Sequence, residues 1–411
     1  MRLPLLMIIA TFLVSIGIDA YITWDIFTYS RLKNIRRNTS IYIVSVVLCY
    51  ALLIVAICLP RRSGDTDIIP IMWLLFTYLT IYVPKLVYIF FSAIGRLFRS
   101  GTISRPINYG APVGLFIGLF VFISIWWGAM FTRHDIEVNE VRITSETLPD
   151  GFDGYRIAQF SDLHTGTWGN DTSFVAKMVK NLNGLNADMI IFSGDIVNRE
   201  TKELKPFLEI LSRLTAKDGV YAVRGNHDYG DYMDWPSSSA HSENNLLLGK
   251  WLRQMGWKVI DNDHDFITRG SDTISLIGVE NWGEPPFKQY GDLKKSYPRQ
   301  NGRSLNDSIF KILISHNPEH WNREVRKISN IDLTLAGHTH AMQTMLQVGD
   351  WKWSPAAWRY PQWGGLYTDT LAEGRVSHLY VNIGSGEVAL PSRIGAVPEI
   401  TLFTLSNKPH N

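Results

Sequence analysis

Four stretches, residues 3–23, 41–59, 68–92 and 111–131, are apolar almost without interruption, and from about Thr132 the pattern changes to short apolar runs divided by polar ones. At 1.5 Å per residue, each long stretch reaches across a hydrocarbon core of about 30 Å as a helix. Runs such as IYIVSVVLCYALLIVAICL lack the polar face of a water-facing helix, which favours membrane spans over a buried soluble bundle. Beyond Thr132, YRIAQF (155–160), DMIIFSGD (188–195), GVYAVRGNHD (219–228), TISLIGVE (273–280), FKILISH (310–316), IDLTLAGH (331–338) and HLYVNIGS (378–385) each read as a buried strand ending in a polar cluster. Residues 172–183, 201–214 and 244–255 read as helices, the first capped by Asp171 or Thr172. This rhythm predicts an α/β or α+β domain. The division expected is a four-span region over 1–131, a linker with a first strand over 132–149, and a folded domain over 150–411.

The first stretch also fits a cleavable signal peptide, since only Arg2 precedes it and small residues follow near Gly17 and Ala20. Lys85, beside Pro84, is the one basic residue inside a span and is expected to snorkel from near a helix end. Arg31, Lys33, Arg36, Arg37, Arg96, Arg99 and Arg105 fall in loops on one side of the membrane, against Arg2, Arg61, Arg62, Arg133 and Arg142 on the other. Basic loops stay in the cytoplasm, so the count puts the folded domain on the extracytoplasmic side of the cell membrane. Both cysteines, Cys49 and Cys58, fall in the second span, which leaves the folded domain without disulfides or thiolate metal ligands. A formal charge of +2 and the lack of basic runs interleaved with aromatics argue against a nucleic-acid polymer as partner.

The polar clusters at the strand ends carry the chemistry. They read, in order, Asp162-x-His164, Gly194-Asp195-x-x-Asn198, Gly225-Asn226-His227-Asp228, His316 and Gly337-His338-Thr339-His340. Asp, Asn and His offer oxygen and nitrogen donors to divalent ions, and a carboxylate shared by two ions holds them roughly 3.5–4 Å apart, a spacing suited to attack on phosphorus. Singly the motifs are weak, because a strand-end Asp often caps a turn and a lone His is usually an ordinary polar residue. Placed at strand ends of an open α/β sheet, residues far apart in sequence converge. Alternation is expected to aim Asp162 and His164 the same way, and Asp195 is the candidate shared carboxylate. Asn226 offers its amide oxygen, His227 is the candidate acid with Asp228 as its orienting partner, Asn198 and Arg224 are candidates for contact with substrate, and Asn198 is alternatively a hydrogen-bonding group behind the ligands. His134, His241, His264, His320 and His378 sit in no such context. Trp351, Trp353, Trp358 and Trp363 crowd one short stretch with Arg359 and Tyr360, and the packing of Trp351 and Trp353 on a core is favoured over an aromatic rim beside the metals for an acyl chain or headgroup.

The five motifs, with FSDLHTG, VRGNHDY, ILISHNPE, LAGHTH and LPSRIGAVPEITLFTL around them, resemble the calcineurin-like metallophosphoesterase superfamily over residues 150–405, in its membrane-anchored or exported bacterial branch. The resemblance implies a sandwich of two mixed β-sheets flanked by helices. It further implies two divalent metal ions (Mn, Fe, Co or Zn), with Asp162, His164 and His340 on one, Asn226, His316 and His338 on the other, and Asp195 between them. A metal-bridging hydroxide would attack phosphorus, and His227 would protonate the leaving oxygen. One departure stands out: where the branch commonly continues Gly-Gly-Gln after the last motif, this chain has Ala341, Met342 and then Gln343. The expected function is phosphodiester or pyrophosphate hydrolysis on a phosphorylated lipid or envelope precursor at the bilayer. Alternatives are a hydrolase of soluble nucleotides or phosphomonoesters with the spans as a plain anchor, and a membrane sensor that binds without turnover.

Overall fold

The strands found in the computed structural model end where the ligand motifs begin. It describes every residue except 1–4, 30–34, 61, 65–66, 99–107, 286, 301–302, 305–308, 329, 372–373 and 409–411. Arg2, Arg31, Lys33, Arg61, Arg99 and Arg105 of the sidedness count therefore lie outside the described residues. The chain divides into two units, one over Met1–Arg61, Asp65–Met130 and Leu390–Ser392, the other over Arg62–Gly64, Phe131–Ala389 and Arg393–Asn411.

In the first unit, α1 (Leu5–Tyr29), α2 (Ile35–Cys58), α3 (Ile68–Leu97) and α4 (Gly110–Met130) match the four apolar stretches, and all four are long and apolar enough to cross a membrane. Without a hydrophobic force between helices in lipid, close backbone approach and polar contacts must hold them together. Gly114 and Gly118 of α4 supply the approach, since a Cβ at either would sit 2.8 Å from Tyr88 O and 3.0 Å from Pro84 O of α3. The polar contacts run along α1 and α3, where Ser15 bonds Tyr78, and Asp25 is met by Tyr88 and Arg96.

Lys85 departs from expectation. It lies well inside α3 and places Nζ 2.8 Å from Asp19 Oδ1 of α1. Asp19 also accepts from Tyr42 (2.6 Å), Tyr50 (2.8 Å) and Tyr82 (2.7 Å). A charge held in hydrocarbon is stabilised by pairing within the bundle, so Lys85 turns inward instead of snorkelling.

The second unit is a sandwich. Its first sheet takes β1 (Glu137–Thr144), β2 (Arg156–Phe160), β3 (Met189–Phe192), β4 (Val220–Ala222) and β5 (Lys258–Val259). The second takes β6 (Asp263–Arg269), β7 (Asp272–Val279), β8 (Lys311–Ser315), β9 (Leu333–Ala336), β10 (Gly365–Thr370) and β11 (Val376–Val381). The last strand, β12 (Glu399–Ser406), returns to the first sheet and separates β1 from β2. Orders are β1-β12-β2-β3-β4-β5 and β10-β11-β9-β8-β7-β6. Strands β2 to β5 run parallel, as do β7, β8, β9 and β11, while β12 against β2, β10 against β11 and β6 against β7 are antiparallel. Both sheets are thus mixed.

Parallel strands buried on both faces explain the unbroken apolar runs. In β3, Met189 and Ile191 enter the core between the sheets with Ile312, Ile314, Leu333 and Leu335. Ile190 and Phe192 point the other way, onto Phe174, Val175, Met178 and Leu182 of α5 (Ser173–Gly184) and Leu248 and Leu252 of α6 (Ser238–Gln254). Asp171, not Thr172, caps α5, accepting from Ser173 N at 2.9 Å. The expected helix over 201–214 is a 3-10 turn, Thr201–Phe207, and a single α turn, Leu208–Leu211, because Pro206 lacks the amide that an unbroken helix requires.

Removing one member of the Asp19 and Lys85 pair should cost more than removing both. Lys85→Met leaves an unpaired carboxylate in the bundle at a cost of about 2.5–3.5 kcal/mol. Thermal unfolding of the detergent-solubilised protein should rank Asp19→Leu/Lys85→Met above either single variant.

Candidate metal centre

Five parallel strands end at one edge of the sandwich and each delivers a ligand motif there. Asp162 and His164 follow β2, Asp195 follows β3, Asn226 follows β4, His316 follows β8, and His338 and His340 follow β9. The expected alternation of an extended strand end does not hold for the first pair. Asp162 (φ 52°), His164 (φ 46°), Asp195 (φ 63°), His338 (φ 77°) and His340 (φ 51°) all have left-handed backbone. Tight turns, not alternation, swing these side chains inward. Such conformations are costly for non-glycine residues and concentrate where function holds them in place.

Two groups of donors form, each with ligand atoms within 4.8 Å of one another: Asp162, His164 and His340, and Asp195, His316 and His338. In the first, His164 Nε2 lies 3.0 Å from His340 Nε2, and His340 Nε2 lies 3.2 Å from Asp162 Oδ1. In the second, His316 Nε2 lies 3.0 Å from Asp195 Oδ2. That same Asp195 oxygen is 3.7 Å from His164 Nε2, so one carboxylate stands between the groups. Gly225 makes room for it, because a Cβ there would collide with Asp195 Oδ1.

The donors are oriented from behind. His316 Nδ1 is 2.8 Å from Ser193 O, so its N–H points there and Nε2 is left buried and facing the cluster, toward Asp195 Oδ2. Asn226 Nδ2 donates to Tyr232 Oη at 2.8 Å, which leaves Oδ1 buried and unpartnered. His338 Nε2 is 2.9 Å from Tyr360 Oη. Arg393, fully buried, brings Nη2 to 3.4 Å from His340 Nδ1. Sequence reasoning missed Tyr232, Tyr360 and Arg393, whose contacts depend on tertiary packing. The orphaned Oδ1 of Asn226, in a set of hard oxygen and imidazole donors, fits divalent cations.

Electrostatics agree. Burial would raise Asp162, but the nearby His340 and His316 hold it below the usual carboxylate range. Asp195 is likewise raised by burial and lowered well below it by His316 and His227. Burial would lower His316, yet Asp195 and Asp162 push it up to about 9. Burial and the positive charge of His316 push His338 down to about 3. The site therefore favours two carboxylates in ionised form and demands a compensating positive charge, which a cation supplies on displacing protons.

Other expected roles change. His227 Nδ1 lies 2.6 Å from Asn198 O, so a backbone carbonyl, not Asp228, orients the ring. The Asp228 carboxylate accepts from Asp195 N (2.8 Å), Gly225 N (2.9 Å), Ile196 N (2.8 Å) and Val197 N (3.2 Å). It ties the β3 and β4 loops together, and burial and Asp195 raise it to about 7. The Asn198 side chain is held by Thr167 (3.0 Å to N, 3.1 Å to Oγ1) and by Glu387 O (3.3 Å), as expected of a hydrogen-bonding group behind the ligands. Arg224 is held by Asp261 (2.6 Å) and Glu280 (2.7 Å), so its charge is already matched. His134, His241, His264, His320 and His378 join neither donor group.

The departure after the last motif also has a structure. Ala341 (φ 51°), Met342 (φ 45°) and Gln343 (φ 55°) continue the left-handed path. The Ala341 side chain does not intrude on the ligands, but packs in a small core with Ala356, Tyr360, Trp363, Ile383 and Ala396.

Comparison with known proteins adds the lineage. The family model described as "Calcineurin-like phosphoesterase" matches residues 155–342, and the one described as "Probable Calcineurin-like phosphoesterase, transmembrane domain" matches residues 1–133. The Bacillus subtilis metallophosphoesterase YkuE is 31% identical over 280 residues, 67% of this chain and 87% of its own. A transmembrane protein with metallophosphoesterase domain from Danio rerio is 28% identical over 363 residues, 83% of this chain and 75% of its own. A UDP-2,3-diacylglucosamine pyrophosphatase from Chlamydia trachomatis is 27% identical over 325 residues, 67% of this chain and 92% of its own. With four apolar helices ahead of a two-sheet domain whose strand ends gather Asp and His donors, the chain belongs to the calcineurin-like metallophosphoesterase family, which hydrolyses phosphoesters, and is a membrane-associated member of it.

Proposed function

We propose that this protein is a two-metal phosphodiesterase or pyrophosphatase acting on a phosphorylated lipid or envelope precursor. The observation that carries the reading is the position of Asp195 Oδ2, 3.0 Å from His316 Nε2 and 3.7 Å from His164 Nε2, between two separate donor groups. Asp162, His164 and His340 would hold one ion, Asn226, His316 and His338 the other, and Asp195 both. When bound, the ions supply Lewis acidity toward a phosphoryl oxygen and lower the pKa of water.

The protein's own groups do the rest. Ser161 Oγ and the backbone N–H of His338 (3.0 and 3.1 Å) hold the Asp162 carboxylate. The backbone N–H of His227 donates to Asp195 Oδ1 at 2.8 Å, which fixes the shared carboxylate against rotation. His227 gives its Nδ1–H to Asn198 O, so the second ring nitrogen carries the exchangeable proton and, when protonated, can deliver it to the leaving oxygen as the P–O bond breaks. The His227 ring stands 4.8 Å from that of His164, at the border of the donor groups.

The lipid reading draws on the transmembrane unit and on the pyrophosphatase activity for which the Chlamydia relative is named. Only residues 131–136 separate α4 from β1, about 20 Å of chain at full extension, so the domain works at a bilayer surface. The basic-residue count favours its extracytoplasmic side.

Purified full-length protein should hydrolyse bis-p-nitrophenyl phosphate with added manganese. Chelation should stop it, and Asp195→Ala should lower turnover roughly a hundredfold or more; turnover that survives complete metal removal refutes the mechanism. His227→Asn should lower kcat by roughly 10²–10⁴-fold while the bound-metal content, read by mass spectrometry, stays at two ions. For sidedness, a cysteine at exposed Leu246 in a Cys49→Ser/Cys58→Ser background should react with an impermeant maleimide in intact cells; labelling only after lysis reverses the orientation.

A further inference from the structure

The segment that follows the metal-binding loop contains a small hairpin, Leu346–Val348 paired antiparallel with Trp351–Trp353. Its cross-strand partners are Leu346 with Trp353, Gln347 with Lys352 and Val348 with Trp351. Alternation puts Leu346, Val348, Trp351 and Trp353 on one face and Gln347 and Lys352 on the other. In a water-soluble domain the apolar face of such a hairpin turns to the core. Here it does not, for Leu346 is 51%, Val348 74% and Trp351 57% exposed. Trp358, 81% exposed, extends the face through an edge-on contact with Trp353, ring centroids 5.6 Å apart. The expectation that Trp351 and Trp353 pack on a core therefore fails for Trp351, and Trp353 is only half-buried, whereas Trp363 is buried.

We propose that this hairpin and Trp358 form a lipid-docking element that enters the headgroup and upper acyl region of the bilayer. Four lines on the structure and chain select lipid as the occupant. Tryptophan with short aliphatic side chains is the composition that partitions to that depth. Two exposed basic residues lie close to the face along the chain and suit anionic headgroups, Lys352 on the opposite side of the hairpin and Arg359 beside Trp358, the latter with Nη2 3.6 Å from Glu284 Oε2. The domain follows a membrane-spanning helix after residues 131–136, so the bilayer is at high effective concentration. The cost of exposing such a face to water would otherwise go uncompensated.

The inner side of the same segment is fastened to the metal loop. Ser354 Oγ donates to Ala341 O at 2.5 Å, Thr339 Oγ1 to Trp363 O at 2.5 Å, and Tyr360 sits on His338. A docked hairpin thus holds one edge of the candidate metal centre at the lipid surface, where a phosphate on a lipid headgroup is within the reach of its ligands. The proposal deepens the lipid-substrate reading, and rests on it only for that last consequence.

The test uses the full chain with Cys49→Ser and Cys58→Ser, one copy per lipid nanodisc containing phosphatidylcholine and phosphatidylglycerol. An environment-sensitive fluorophore is attached at Val348→Cys, Trp351→Cys or Trp358→Cys, all surface positions, with Leu246→Cys on α6 as reference. Doxyl-labelled phospholipid should quench the first three severalfold more than the reference and shift their emission to the blue. Equal quenching at all four positions overturns the proposal. A blue shift without lipid quenching also overturns it and assigns the face to a protein surface. None of these readouts requires turnover, so inactivity toward a phosphorylated lipid would defeat the substrate reading while leaving the docking result intact.

Discussion

Two carboxylates buried beside one another set the terms for the rest of the domain. Asp162 and Asp195 are fully withdrawn from water, and an unpaired anion in that position is too costly to keep. The chain answers at several levels. His316, His340 and His164 surround the pair, and the field of the two anions is strong enough to hold His316 protonated against its own burial. Backbone amides of His338 and His227 point at the same oxygens. Asp228 would add a third negative charge beside Asp195, and its rise to about 7, caused by burial and by Asp195, shows the site resisting it. An arrangement that strains to neutralise two anions with protons is one that binds cations strongly.

How the ligands reach these positions was only partly legible in the sequence. The first strand expected over 132–149 forms as β1, and the seven apolar runs form strands too, since unbroken apolar runs of parallel strands leave a clear signal, and the order of the motifs along them gives the convergence of their ends. Strands β5, β6 and β10 are half-exposed or short, and their patterns carry little contrast. The hairpin had a signal that went unread: Gly349-Asp350 stands between Val348 and Trp351, a two-residue turn of the kind that joins strands. Roles that depend on distant packing were the least accessible. Asp228 and Arg224 look chemically promising beside Asn226 and His227, yet the first binds backbone amides and the second two carboxylates. Lys85 was misread for the same reason, because its partner Asp19 lies on another helix.

The transmembrane unit shows the same logic in a different solvent. In hydrocarbon, apolar surface does not distinguish a helix partner from lipid, so specificity falls to glycine contacts and to polar groups. Gly114 and Gly118 bring α4 onto the backbone of α3, and the Asp19 cluster joins α1, α2 and α3 through a single carboxylate. Four hydrogen bonds to one aspartate tie the three helices together at one level.

The stretch Ala341-Met342-Gln343 joins these themes in the metal domain. Its left-handed backbone is the conformation that the glycines expected at the first two positions would adopt freely, and with side chains the strain is about 1–3 kcal/mol each. The turn cannot relax, because His338 and His340 enter it from one side and Ser354 and Thr339 clamp it to the segment over 354–363. What the added side chain gives in return is visible at Ala341, whose methyl is fully buried against Ala356, Tyr360 and Trp363. A glycine there would have no side chain to offer that core, and the segment carrying both Tyr360 and the exposed tryptophans would be less firmly bound to the ligands. Strain in the loop and packing under the aromatic segment are therefore two sides of one substitution, and it acts beside the metals by anchoring a neighbouring surface while leaving the ligands untouched.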